Sequence, residues 1–197
     1  LRAVRFDDAG KGWFGTAFNG IDVWDGRGTA DHGDDVWVHH TTVPSDQVTS
    51  LVLLGPQTAW VGTSAGASRL DNGIATRVLT AVGNPGLPSA QVNDLELDSR
   101  GSVWIATSGG LARADAAGTG AIEVFTALDG LVDDDVRALA WDDAAGDGKG
   151  GWSDQGPGDD LRAFDVARRD YEGVRFQVVD PAGNGGKAVL TFDSPQA

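Results

Sequence analysis

Apolar positions along this chain fall in short runs that break at glycine, proline, asparagine or aspartate. In the middle of the chain the runs are VTSLVLL, TAWVGTS, ASRLD and ATRVLTA, separated by GPQ, AG, NG and VGNPGLPSAQ. Runs this short, rich in Val and Thr and bounded by turn residues, predict β-strands rather than helices. The same pattern recurs. Val48-x-x-Leu51 returns as Val92-x-x-Leu95 and Val136-x-x-Leu139, 44 residues on each time, and Leu1-x-x-Val4 fits the frame 47 residues before Val48. Within each complete unit a tryptophan follows (Trp13 in WFGT, Trp60 in WVGT, Trp104 in WIAT). A glycine (Gly20, Gly66, Gly110) and an aspartate (Asp25, Asp71, Asp115) come after it.

Four strands in about 44 residues is the period of a propeller blade, and a blade cannot cover both of its faces alone. The expected fold is therefore all-β, a partial β-propeller over residues 1–143. It comprises three four-stranded blades, at about 1–47, 48–91 and 92–135, and the start of a fourth at Val136. That fourth unit has Gly148 where the repeat tryptophan belongs, and 144–151 form a Gly-rich linker. In residues 152–197, Val174, Phe176 and Val178 alternate with polar residues, as do Ala188, Leu190 and Phe192, with PAGNGG between them as a hairpin turn. This segment is expected to be an incomplete β-sandwich. Three blades are fewer than a ring needs, so the missing blades are expected from the rest of a longer chain.

The segment VNDLELDSRGSVWIATSGGLARAD (Val92 to Asp115), with GLPSAQ before it, resembles the two-component-regulator propeller repeat in its turn, Asp-x-x-Gly, Trp-Ile-x-Thr and Gly-Gly-Leu. The resemblance implies a propeller of about seven blades in an extracytoplasmic (periplasmic or secreted) bacterial protein, commonly a sensor of oligosaccharides or polysaccharides. The C-terminal segment weakly resembles the galactose-binding-like β-sandwich modules of bacterial glycan-degrading proteins.

Composition narrows the remaining classes. Lys+Arg total 15 against 29 Asp+Glu, a net charge of −14, which repels phosphate backbones and argues against a nucleic-acid partner. Absence of cysteine removes disulfides, thiolate metal sites and Cys nucleophiles. No apolar run is long enough for a membrane helix. The chain has no Met and opens directly in a strand-like LRAVRF, so the natural start is expected upstream.

Catalytic chemistry finds no foothold. GTGA at Gly118 and GNGG at Gly183 lack the spacing and strand–helix setting of a nucleotide loop, and no nucleophile elbow occurs. Acid–base glycosidase work needs a carboxyl in an apolar or crowded cleft, and nothing marks one among so many solvated aspartates. His32, His39 and His40 lie near Asp31, Asp34 and Asp35, but alternation sends His39 and His40 to opposite faces of one strand. The acidic stretches Asp133–Asp135 and Asp142, Asp143, Asp147 lack calcium-loop spacing. Neither a metal nor a cofactor is expected, and the repeated tryptophans are expected in the core.

Antiparallel strand order puts the turns after the second and fourth strands of every blade on one face of the disc. There Phe18 and Asn19, in the enlarged first turn, and Gln47 and Gln91, at equivalent positions, combine an apolar ring with amide hydrogen-bonders, a set that suits a sugar. The competing reading of the same residues is structural, with the glutamines capping a turn and Phe18 packing on a neighbouring blade. The expected function is a non-catalytic ligand-binding or sensing propeller, with an oligosaccharide or polysaccharide as partner. The alternatives are an accessory region of a secreted polysaccharide-degrading hydrolase or lyase, and a protein-interaction scaffold.

Overall fold

The structure is a computed structural model that describes residues 1–82, 86–141, 161–164, 174–175 and 191–192. The first blade consists of β1 (Ala3–Phe6), β2 (Gly12–Gly15), β3 (Ile21–Asp25) and β4 (Val36–His40). The second consists of β5 (Val48–Gly55), β6 (Thr58–Thr63), β7 (Gly66–Asp71) and β8 (Ile74–Leu79). In the third are β9 (Val92–Leu97), β10 (Ser102–Thr107), β11 (Gly110–Asp115) and β12 (Glu123–Phe125). Each is an antiparallel meander in sequence order, and the three are separate sheets. The fold is that of consecutive propeller blades.

The fourth repeat opens with β13 (Ala138–Trp141), which pairs antiparallel with β14 (Leu161–Phe164) in register Ala138↔Phe164. The sequence pattern places 161–164 in the C-terminal segment, whereas the backbone ladder joins them to the fourth repeat. Further on, β15 (Val174–Arg175) pairs with β16 (Thr191–Phe192), antiparallel as expected of those two runs. The Gly-rich linker, the PAGNGG turn and most of 152–197 lie outside the described residues.

The core sits between blades, which explains why the repeat must stack. One buried cluster joins Ala3, Trp13, Ile21 and Val23 of the first blade to Val48, Leu51, Val61 and Leu70 of the second. Another joins Val52, Trp60, Ala67 and Leu79 to Val92, Leu95, Val103, Ile105 and Ala112 of the third. A smaller one joins Trp104, Ala106 and Leu111 to Val136 and Leu139 of the fourth. Trp13, Trp60 and Trp104 are thus buried at successive interfaces. The small residue two positions after the tryptophan has a steric cause. A Cβ on Gly62 would stand 2.7 Å from the Val92 side chain, so glycine there lets the next inner strand approach.

Local hydrogen bonds explain the rest of the repeat motif. The threonine ending each second strand turns its hydroxyl back onto the glycine that opens the third. Thr63 Oγ1 donates to the Gly66 carbonyl at 2.8 Å and Thr107 Oγ1 to that of Gly110 at 2.7 Å. Gly66 and Gly110 both have φ of +137°, a conformation side chains rarely adopt. The Asp-x-x-Gly of the third blade wraps around Asp98, whose carboxylate accepts from Arg100 N, Ser102 N and Trp104 Nε1.

A polar mouth on the channel as candidate functional site

The innermost strands β1, β5, β9 and β13 line the blade array's axis, and their first residues lie at the face carrying the second-to-third turns: Ser64 N donates to the Gln47 carbonyl, Ser108 N to Gln91, and Gly20 N to Asp46. These bonds tie each of those turns to the connection entering the next blade.

At the start of β5 and of β9 the register slips by one residue. Val48 faces Thr63 and Ser50 faces Gly62, leaving Thr49 as the extra residue; Val92 faces Thr107 and Asp94 faces Ala106, leaving Asn93. A bulge of this kind re-aims the extra side chain. Thr49 and Asn93 occupy the second position of the repeat, as do Arg2 and Arg137. All four line one cavity of about 450 Å³, together with Gln91, Ser108 and Asp135. One repeat position, written four times, makes a polar mouth.

The lining groups are partly committed. Asn93 Nδ2 donates to the Val136 carbonyl at 2.7 Å and reaches Ser108 Oγ at 3.3 Å. Gln91 Nε2 donates to the Val92 carbonyl at 3.1 Å. Arg137 gives both Nε (2.8 Å) and Nη2 (2.6 Å) to Asp135 Oδ2. Thr49 Oγ1 is buried without a hydrogen-bond partner among the described residues. The Arg2 side chain is exposed on the rim.

Below the mouth a second polar layer holds the inner strands together. Asp94 Oδ1 accepts from Ser50 Oγ at 2.9 Å, and its Oδ2 accepts from Leu139 N at 2.9 Å. One carboxylate thereby spans three consecutive blades. On the opposite face the blades are clasped by backbone acceptors of the 115–120 turn. Trp60 Nε1 and Arg69 Nε donate to Ala116 O, and Arg77 donates to Gly118 O and Gly120 O. The Ala117 N–H and Thr119 hydroxyl hold the Asp115 carboxyl below its usual range in that turn.

The four residues singled out in the sequence separate here. Gln91 lines the mouth. Gln47 occupies the equivalent position one blade back but is exposed and outside the lining, its N–H donating to Ser45 Oγ. Phe18 is 75% exposed at the tip of the Thr16–Gly20 turn, packed on no neighbouring blade core. Asn19, also exposed, donates its backbone N–H to Thr16 Oγ1 at 2.8 Å. What the sequence reading missed was the second repeat position, and the signal was the repeat frame itself: 2, 49, 93 and 137 follow the starts already recognised.

The histidines do not converge. His39 Nδ1 meets Asp22 Oδ1 at 2.7 Å and His32 Nδ1 meets Asp35 Oδ2 at 3.2 Å. Burial, with the neighbouring His39 charge, lowers the pKa of His40, whose ring packs on Gly73 of the second blade. Among the described residues no group of His, Asp and Glu is arranged to hold a metal ion.

Residues 86–109 match the two component regulator propeller family, within the 86–115 stretch whose motifs resemble its repeat. The fold matches the extracellular domain of BT3049 from B. thetaiotaomicron, described as a hybrid two component system. Identity is 24% and the TM-score 0.60, over 72% of this chain and 19% of that one. The extracellular domain of BT4673 from the same organism, also described as a hybrid two component system, matches at 19% identity and TM-score 0.55, over 72% and 21%. PorZ, a surface component of the type-IX secretion system of Porphyromonas gingivalis, matches at 19% and 0.55, over 71% and 23%. The chain therefore spans about a fifth of the length of these solved structures. No curated protein matches it.

Proposed function

We propose that this chain, built from two component regulator propeller blades, is a non-catalytic ligand-binding part of an extracytoplasmic bacterial sensor, and that its ligand is a carbohydrate. The observation that carries the reading is the channel mouth. Bulges at Thr49 and Asn93 turn the same repeat position inward in successive blades, where hydroxyl, amide and guanidinium groups converge and the one lining carboxyl, Asp135, is held by Arg137. Solved neighbours described as extracellular domains of two component systems support the sensing role and the location. Phe18, Asn19 and Gln47 on the rim, with Gln91 in the wall, would extend the contact surface beyond the mouth. The propeller repeats run to about 143, with 144–151 as linker; because Leu161–Phe164 pairs back onto β13, a separate sandwich-like segment is proposed only for the rest of 152–197, and the full-length chain would supply the remaining blades.

A glycan array probed with the recombinant chain tests this. Binding to at least one oligosaccharide class, weakened in Gln91→Ala and in Phe18→Ala or Asn19→Ala, is the expected result. No binding to any glycan would sink the carbohydrate reading. A second reading, a protein-interaction scaffold, draws on apolar residues exposed on the same face: Phe18 at 75%, Val82 at 92% and Leu128 at 97%. Such exposure on a loop-bearing face fits a docking surface, and capture of a defined protein partner in place of any glycan would favour it.

A further inference from the structure

We propose that the ligand taken at the channel mouth is an acidic saccharide whose carboxylate is held by Arg2 and Arg137; this rests on the carbohydrate-binding reading above and narrows it to a charge class. Arginines line the cavity at both ends of the blade array, Arg2 from the first blade and Arg137 from the fourth. They stand out in a chain with only 15 basic residues against 29 acidic ones.

Their states suit a two-sided clamp. Asp135 takes Nε and Nη2 of Arg137 on a single oxygen, which fixes the guanidinium plane and leaves Nη1 uncommitted. Arg2 is anchored through its backbone, where its N–H donates to Gly15 O at 2.8 Å. Among the described residues its guanidinium has no partner. The unpaired Arg2 guanidinium offers a planar fork, and Arg137, whose other edge is taken by Asp135, offers Nη1 beside it. Donors of this kind match a carboxylate better than any neutral group, and such charge-assisted bonds are about twice as strong as neutral ones.

The rest of the wall argues for a sugar bearing that carboxylate. Ser108 Oγ, the unpartnered Thr49 Oγ1 and the side-chain carbonyl oxygens of Gln91 and Asn93 can meet ring hydroxyls, since both amides spend an N–H elsewhere. None of the lining residues is aromatic. A neutral sugar is commonly held by stacking its apolar face on a ring, and this mouth offers none. The overall charge of −14 works against a long polyanion, which would feel the whole surface; inside the mouth the two arginines outnumber the one lining carboxylate, Asp135, and leave one positive charge for a single anionic group.

The test is titration calorimetry on the 197-residue chain with trigalacturonate, triglucuronate and trimannuronate, each beside its methyl ester, which keeps the sugar and removes the charge. The expected result is that at least one acid binds and that its ester binds about tenfold or more weakly. Arg2→Ala and Arg137→Ala should each weaken the acid about tenfold, the size expected for losing a charged hydrogen-bonded contact, and weaken any ester binding by clearly less. Thermal melts of both variants report that the fold is intact. Equal binding of acid and ester, or acid binding indifferent to both arginines, would overturn the acidic-ligand proposal while leaving the carbohydrate reading standing. If neither these probes nor any neutral glycan binds, both fall together.

Discussion

Each repeat tryptophan must bury a large ring between blades and still satisfy one indole N–H. In the third blade the solution is local, since Trp104 is 4% exposed and Nε1 donates to Asp98 Oδ2 at 2.9 Å. The first blade uses the same device in looser form, with Trp13 Nε1 at 3.4 Å from Asp7 Oδ2. The second blade has Leu54 where the aspartate would be, and Trp60 instead crosses to Ala116 O of the third blade. Loss of Asp98 therefore has a definite cost. Asp98→Ala strands the Trp104 and Ser102 N–H groups and should destabilise the protein by about 2–4 kcal/mol, while Asp98→Asn, which keeps an acceptor, should lose less. Chemical denaturation measures both. Indistinguishable midpoints for Asp98→Ala and the parent would show that the latch does not hold the blade.

At the scale of elements, one carboxylate bridges three inner strands. Asp94 reaches Ser50 in β5 and the Leu139 N–H in β13, so it couples blades that share no backbone ladder. A double-mutant cycle of Ser50→Ala and Asp94→Ala should return a coupling energy of about 1 kcal/mol, and simple additivity would mean that the layer does not join the blades. The strands themselves were legible in the sequence. Turn residues, the Trp and the Val-x-x-Leu frame recur as identities, and identity is what self-comparison detects. The mouth was not legible in the same way, because its repeat position holds Arg2, Thr49, Asn93 and Arg137, which share no residue type. What unites them is their place in the repeat frame, and at Thr49 and Asn93 a register slip that is a property of the ladder and not of the residues. Gln91 was singled out for its place on the face, and that place puts it in the wall. The pairing of β14 with β13 left no mark either, since no repeat-spaced tryptophan announces a second strand there.

For the described blades, stacking decides where polar groups gather. Sheets whose cores lie between them must fan around an axis, and the fan brings the starts of the inner strands to one face. The opposite face is given over to clasps at Ala116, Gly118 and Gly120, whose carbonyls hold the second blade's Trp60, Arg69 and Arg77. Rigidity on one face and uncommitted polar groups on the other are what a binding scaffold needs. Binding at the polar mouth is the proposal that a residue-level probe reaches directly. The most direct measurement is an amide-resonance titration of the isotope-labelled chain with a glycan that it binds. Shifts concentrated at Arg2, Thr49, Gln91, Asn93, Ser108 and Arg137 are the predicted result. Shifts confined to the opposite face, around Asn72–Gly73 and Ala116–Thr119, would contradict it.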